Sequence, residues 1–307
     1  MKAVVFAYHN IGVAGLESVR KNGIEIQAIF THRDDPGENC WFGSVYAWAK
    51  SSGIPVFRPR MINSPRWIRN IRDIEPEFLF SFYYRHMLCS DILKIPVAGA
   101  YNLHTSLLPA YRGRSPVNWV LIHGETKTGV TLHHMIDKPD AGDIVGQKEV
   151  EIAYEDTAFS LFRKLTVKTS ELLDEMLPRI KNGTAPRIKQ DLKAGSYFGG
   201  RRPEDGKIDW AWPAGRVYNL IRAVTEPYPG AFTYLPDGEK MFIWWAVPEN
   251  VDDKSDTAGT VDVEGSVVTV QAGEGRLRLL DIEIDGKRFR NTDMYEYFKT
   301  LKEPTLR

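Results

Sequence analysis

The 307 residues carry 40 Lys plus Arg against 40 Asp plus Glu, a formal net charge of zero, and 43% of them are hydrophobic. That balance excludes a basic surface spread over the whole chain for nucleic acid, leaving at most a local groove. No apolar run approaches the length of a membrane span. Cys40 and Cys89 form neither a disulfide framework nor a zinc-binding spacing, and the opening MKAVVFAY enters a strand rather than a signal peptide. A cytoplasmic protein of one large or two modest domains is expected.

Lys2 to Ala7 is a short apolar run of the kind buried in a parallel sheet, followed by Gly12 and Gly15 and a helical stretch to Lys21. Strand, glycine turn and helix open a doubly wound sheet. The glycines do not complete a dinucleotide fingerprint, and close strand–helix packing explains them. Glu25 to Phe30 reads as a second strand. In the polar loop Thr31 to Asn39, Asp34 and Asp35 could meet a ribose or simply be solvated. Trp41 to Lys50 reads as a helix and Ile54 to Phe57 as a strand. Ser64 and Pro65 open a helix to Asp73, and Phe78 to Phe82 is a strand. The loop Tyr83 to Leu88 then places large amphipathic side chains beyond a strand end. That position suits a flat, pterin-like ring, or an aromatic cap on the core.

The chain turns on Ala98 to Val120. Residues 98–104 read as a strand, Thr105 to Arg114 as a loop, and Ser115 and Pro116 as the N-cap and first position of a helix. Asn102 and His104 are two residues apart, so on a strand they share a face. An amide donor can stabilise a developing oxyanion, and an imidazole can take a proton near neutral pH. In Lys127 to Met135, Thr131, His133 and Met135 alternate with Val130, Leu132 and His134. His133 and His134 therefore face opposite ways, and no shared metal site is expected. The loop Ile136 to Asp143 carries three aspartates in seven residues before the strand Ile144 to Glu151. If the two strands neighbour each other, Asp140 comes near His104, where a carboxylate would orient the imidazole and make it more basic.

Asp156 is the expected N-cap of a helix over Thr157 to Lys181, ended by Asn182 and Gly183. Thr184 to Pro203 reads as a polar linker, and Pro213 to Val224 as a helix. Strands follow at Ala231 to Leu235, Met241 to Ala246, Gly259 to Val263, Ser266 to Gln271 and Leu277 to Ile284, the pattern of a small β-barrel. Arg201, Arg202 and Arg222 are candidates for diphosphate contacts, or surface and interdomain arginines.

The string Asn102-Leu103-His104 followed by Ser106-Leu107-Leu108-Pro109-Ala110-Tyr111-Arg112-Gly113 resembles the signature of the folate-dependent formyltransferases. Thr105 stands where that family often has glycine, which adds bulk beside the strand and removes no reacting group. The segments Asp205 to Trp210 and Glu226 to Phe232 are similar to those that introduce the family's smaller, OB-like C-terminal domain. The resemblance spans nearly the whole chain. It implies an α/β, Rossmann-like, mostly parallel sheet over residues 1–200, followed by an OB-like β-barrel domain over 201–307. It implies Asn102 as transition-state stabiliser, His104 as general base and Asp140 as the carboxylate that raises its basicity. It implies 10-formyltetrahydrofolate as cosubstrate, held by His86, Met87, Leu88, Arg114 and the run Ile136, Asp137, Lys138, Pro139 and Asp140, with no metal.

FAYHNIG, THRDDPGE, FSFYYRH and TGVTLHHM look closest, within the family, to the formyltransferase part of a bifunctional polymyxin-resistance enzyme of lipid A modification. That part formylates UDP-4-amino-4-deoxy-L-arabinose. Its second, decarboxylase domain has no room before Arg307, so a stand-alone formyltransferase or an excised domain is expected. Other acceptors for the same chemistry are a dTDP-linked amino sugar, methionyl-tRNA, or water. A silent folate-binding protein is the non-enzymatic rival. RNA contact is disfavoured by the balanced charge, no membrane insertion is expected, and the oligomeric state, a homo-oligomer included, stays open.

Overall fold

The computed structural model describes residues 1–34, 37, 39–249, 257–301 and 304–307. In chain order the elements are β1 (Lys2–Ala7), α1 (His9–Lys21), β2 (Glu25–Phe30), α2 (Val45–Ser51), β3 (Val56–Phe57), α3 (Pro65–Asp73), β4 (Phe78–Phe82), α4 (Ser90–Leu93), β5 (Gly99–His104), β6 (Arg112–Gly113), α5 (Pro116–Ile122), β7 (Lys127–His134), β8 (Ile144–Glu151) and α6 (Ala158–Lys181). They continue with β9 (Tyr197–Phe198), α7 (Ala214–Val224), β10 (Ala231–Tyr234), β11 (Lys240–Glu249), β12 (Val261–Glu264), β13 (Val267–Gln271), β14 (Arg276–Ile284), β15 (Lys287–Phe289) and α8 (Asn291–Thr300).

The chain divides into two compact units. The first comprises residues 1–116, 127–152 and 162–199, the second 117–126, 153–161 and 200–307. The first is built on a seven-stranded sheet in the order β3-β2-β1-β4-β5-β7-β8. Strands β1 to β5 are parallel, β7 runs antiparallel to β5, and β8, antiparallel to β7, runs in the direction of the first five. Phe78 to Phe82 is buried throughout, as a central parallel strand covered on both faces must be. One face packs Val4, Phe6, Phe30, Ile71, Leu79 and Ile92 into a core. The order reverses at β1, which pairs with both β2 and β4, so the carboxyl ends of those strands form the crevice where open α/β sheets take ligands.

Several elements depart from their expected limits. Gly12 and Gly15 lie within α1 rather than in a turn before it. A Cβ on Gly15 would stand 2.3 Å from the Phe82 ring, so the glycine is there for close helix–sheet packing. Ser115 has φ +54 rather than the extended backbone of an ordinary N-cap. The cap of α6 is Thr157, whose Oγ1 accepts the Ser160 N–H at 3.2 Å, while Asp156 accepts from Ala153 N–H and the Ser160 hydroxyl. Residues 184–199 are no free linker: Ile188 bridges Ile144, and β9 pairs with β6.

The second unit holds an antiparallel sheet in the order β10-β11-β14-β13-β12, with β15 on β14. The last residues tie its two edges together. Tyr234 and Arg307 exchange backbone hydrogen bonds on the β10 side. On the β12 side, Val261 N–H donates to the Pro304 carbonyl and Leu306 N–H to that of Gly259. This closure through the tail, like β15 and α8, was outside the sequence expectation. Among the described residues, no helix is long and apolar enough to cross a membrane.

Candidate active site

β5 and β7 lie side by side with Asn102 opposite His133 and His104 opposite Thr131. Directly opposed residues of an antiparallel pair share a face, as do residues two apart on one strand. One face of this strand pair therefore carries Asn102, His104, Thr131 and His133. The turn between β7 and β8 brings Asp140 onto the same group. The Asp140 Oδ1 atom lies 3.6 Å from His104 Nδ1, 3.5 Å from His133 Nε2 and 3.5 Å from Asn102 Nδ2. The expected catalytic three are thus gathered in one cluster, with His133 as a fourth member that the sequence reading did not single out.

The turn is fixed from below. Asp140 has φ +48, a region an aspartate tolerates better than most residues. Buried Gln190 donates to the Asp140 carbonyl at 3.1 Å and the Gly142 carbonyl at 2.6 Å. Gly142 has to be glycine, because a Cβ there would stand 1.9 Å from the His134 carbonyl oxygen. Gly113 has φ +99 and room for no Cβ, which would lie 2.2 Å from the Phe198 carbonyl oxygen. Its N–H then reaches Asp140 Oδ2 at 2.9 Å. Thr131 and Gln147 pin the loop after β5. Thr131 Oγ1 donates to the Ser106 carbonyl and accepts the Leu108 N–H, and Gln147 donates to the Leu108 carbonyl and to Thr131 Oγ1.

That loop delivers the Tyr111 carbonyl to His104 Nε2 at 2.8 Å. A carbonyl only accepts, so Nε2 carries the hydrogen and Nδ1 is the nitrogen able to take a proton. Tyr111 thus fixes the tautomer, and Asp140 faces the basic nitrogen. The ring is 7% exposed. Burial by itself opposes ionisation of Asp140. The neighbouring His104 and, more weakly, the Gly113 N–H oppose it, and the carboxyl is held well below the usual carboxylate range. A proton arriving at Nδ1 therefore meets a carboxylate already charged.

The expected folate contacts also fall in the first unit. His86 and Met87 are exposed on the loop after β4, Met87 at 50%. Asn63 clamps that loop, donating to the Met87 carbonyl at 2.9 Å and accepting the Cys89 N–H at 3.0 Å. The Leu88 side chain belongs to the core, so only its backbone is offered to a ligand. Ile136, Asp137 and Lys138 are exposed, Pro139 is half-buried and Arg114 is exposed. Asp137 accepts the Ser90 hydroxyl, tying the turn to α4. Exposed Met87 and Ile136 offer apolar surface to a flat ring, and the residues fit a folate on that ground.

Other candidates are spent elsewhere. Arg222 is buried and donates to the carbonyls of Ala153, Tyr154 and Asp156, which makes it structural. Arg202 offers its backbone N–H to Asp205. Arg201 lies over Trp119 at 4.9 Å and lines an open cavity of about 700 Å³ in the second unit with Trp212 and Arg216. Asp34 accepts the Tyr8 hydroxyl at 3.1 Å, and Asp35 lies outside the described residues.

Residues 1–177 match the family model for formyl transferase, and residues 201–300 match that for the formyl transferase C-terminal domain. An N-formyltransferase from Helicobacter canadensis, solved with folinic acid and dTDP-3-aminofucose, is 22% identical. The match has a TM-score of 0.70 over 91% of this chain and 98% of that one. WlaRD, a sugar 3N-formyltransferase solved with dTDP and 5-N-formyl-THF, is 19% identical, with a TM-score of 0.70 over 94% and 98%. HypX from Aquifex aeolicus, in complex with tetrahydrofolic acid, is 16% identical, with a TM-score of 0.64 over 99% of this chain and 48% of that one. At these identities the likeness is one of fold.

Proposed function

This chain belongs to the formyl transferase family, and we propose that it moves the formyl group of 10-formyltetrahydrofolate onto the 4-amino group of UDP-4-amino-4-deoxy-L-arabinose. The observation that carries the reaction type is the cluster of half-buried Asn102, buried His104 and half-buried Asp140, in which a proton acceptor and an amide donor share one sheet face. The folate, when bound, supplies an activated formyl group. His86, Met87, the Leu88 backbone, Arg114 and the turn 136–140 would hold it.

His104 takes the proton released at Nδ1 as the amine attacks the formyl carbon, and Asp140 offsets the charge that results. The proton is returned to N10 of the folate as the bond from N10 to the formyl carbon breaks and tetrahydrofolate leaves. Asn102 donates its amide N–H to the charge that develops on the formyl oxygen. The Tyr111 carbonyl keeps Nε2–H in place, so the ring does not turn its basic nitrogen away.

The acceptor is supported by the segments FAYHNIG, THRDDPGE, FSFYYRH and TGVTLHHM, which resemble the enzyme of lipid A modification. A dTDP-linked amino sugar is the second reading, favoured by the ligands of the Helicobacter canadensis enzyme and of WlaRD. Acceptor-dependent release of tetrahydrofolate separates the two. Turnover with the UDP-arabinose derivative and not with a dTDP-4-amino sugar is expected. The reverse would keep the chemistry and replace the acceptor.

A further inference from the structure

His133 is the most deeply buried member of the cluster, 2% exposed, and nothing in the reaction as described so far uses it. Its Nδ1 lies 2.8 Å from the backbone carbonyl of His134. A carbonyl only accepts, so Nδ1 carries the hydrogen, and in the neutral ring Nε2 is a bare acceptor. Asn102 Nδ2 stands 3.1 Å from that nitrogen. Only the NH2 end of the amide can satisfy it.

The contact also decides what Asn102 has left to offer. Nδ2, His133 Nε2 and Asp140 Oδ1 are separated by 3.1, 3.5 and 3.5 Å, a nearly equilateral triangle. At Nδ2 the two acceptors therefore subtend about half the angle between the two amide hydrogens. An N–H aimed between the two reaches both and leaves the second for a third acceptor. That second N–H is the donor a formyl oxygen can use. Were the His133 ring in its other tautomer, Nε2–H would draw the Asn102 carbonyl inward and turn the amide end for end.

We propose that His133, held as the Nδ1–H tautomer by the His134 carbonyl, is a positioning residue that sets which end of the Asn102 amide faces the formyl group. This rests on the proposed role of Asn102 as the donor to the formyl oxygen. The strand register supplies the mechanics. Asn102 and His133 are directly opposed on β5 and β7, so the pair is held by ladder hydrogen bonds rather than by loops.

The test is a double-mutant cycle on formyl transfer, with 10-formyltetrahydrofolate and the sugar nucleotide that the wild type uses. His133→Leu lowers kcat toward, and not beyond, the roughly 10²–10³-fold that one lost oxyanion donor costs, and leaves the KM for the folate unchanged. In the Asn102→Ala background the same substitution has no further effect, because it acts through a group already removed. His133→Gln, whose Oε1 can accept the Asn102 N–H, restores most of the turnover. Nitrogen-15 NMR of the wild type shows His133 protonated at Nδ1 and bare at Nε2, a result that does not depend on any variant folding. Equal losses from His133→Leu in both backgrounds, no advantage of Gln over Leu, or a protonated Nε2 would overturn the proposal. Wild-type turnover in Asn102→Ala would instead remove the reading on which it rests.

Discussion

Two pairs of histidines lie in the first unit and differ in what surrounds them. His9 and His32 follow β1 and β2. The His9 ring lies among Trp41, Phe42, Tyr83 and Phe162, and His32 stacks on Tyr84 at 4.2 Å. Burial, reinforced by Arg85, lowers both to about 3, with His86 adding to the effect at His32. Both rings stay neutral and act as packing, and His32 Nε2 also accepts the Arg85 N–H at 2.9 Å. His104 and His133 are buried as well, yet both face Asp140. Burial among aromatic rings makes a histidine a packing residue; burial beside a held carboxylate makes it a member of a polar cluster.

The comparison breaks most visibly at Asp140. Asp140→Ala should lower turnover by at least the roughly 10²–10⁴-fold attributed to a positioned acid–base group, because His104 loses the charge that offsets its proton. The same enzyme assay applied to Gly113→Ala should show a smaller loss. There the Cβ collides with the Phe198 carbonyl and withdraws the N–H from Asp140 without removing the carboxylate.

The pH dependence of stability sharpens the contrast. Asp140 is depressed in the folded state, so its contribution is present above the unfolded carboxylate pKa and is lost as pH falls through the lower folded value. His9 and His32 act in the same direction over a higher pH window. Their folded values of about 3 lie below the ordinary imidazole value of 6.5, so the unfolded chain binds protons first and stability falls as pH drops from 6.5 toward 3. Denaturant titrations of His32→Asn, which keeps an acceptor for Arg85 and cannot titrate, should show a flatter decline over that window. An unchanged slope would mean that His32 is not held neutral. The smallest effect expected is that of Met87→Ser, a modest loss of folate affinity with kcat retained, read by calorimetry.

Much of this was legible in the chain. The strand runs Lys2 to Ala7 and Phe78 to Phe82, the alternation of Lys127 to Met135 and the i, i+2 spacing of Asn102 and His104 are local signals. What the sequence left open was register. The alternation put Thr131 and His133 on one face, and only the pairing of β5 with β7 shows that this face is the one carrying Asn102. Gln190 was hidden for a related reason. A polar residue in a polar stretch gives no signal until the segment is seen to return beneath the Asp140 turn. Gly113 and Gly142 read as turn formers, whereas their requirement comes from the carbonyls of Phe198 and His134, remote or across a turn.

The most direct test of the central claim is to measure turnover and folate affinity on the same preparation of His104→Ala. Acceptor-dependent tetrahydrofolate release should fall by roughly 10²–10⁴-fold while folate binding stays at the wild-type level. Wild-type turnover in that variant would contradict the assignment of His104 as the proton acceptor, and with it the account of the cluster as the site of formyl transfer.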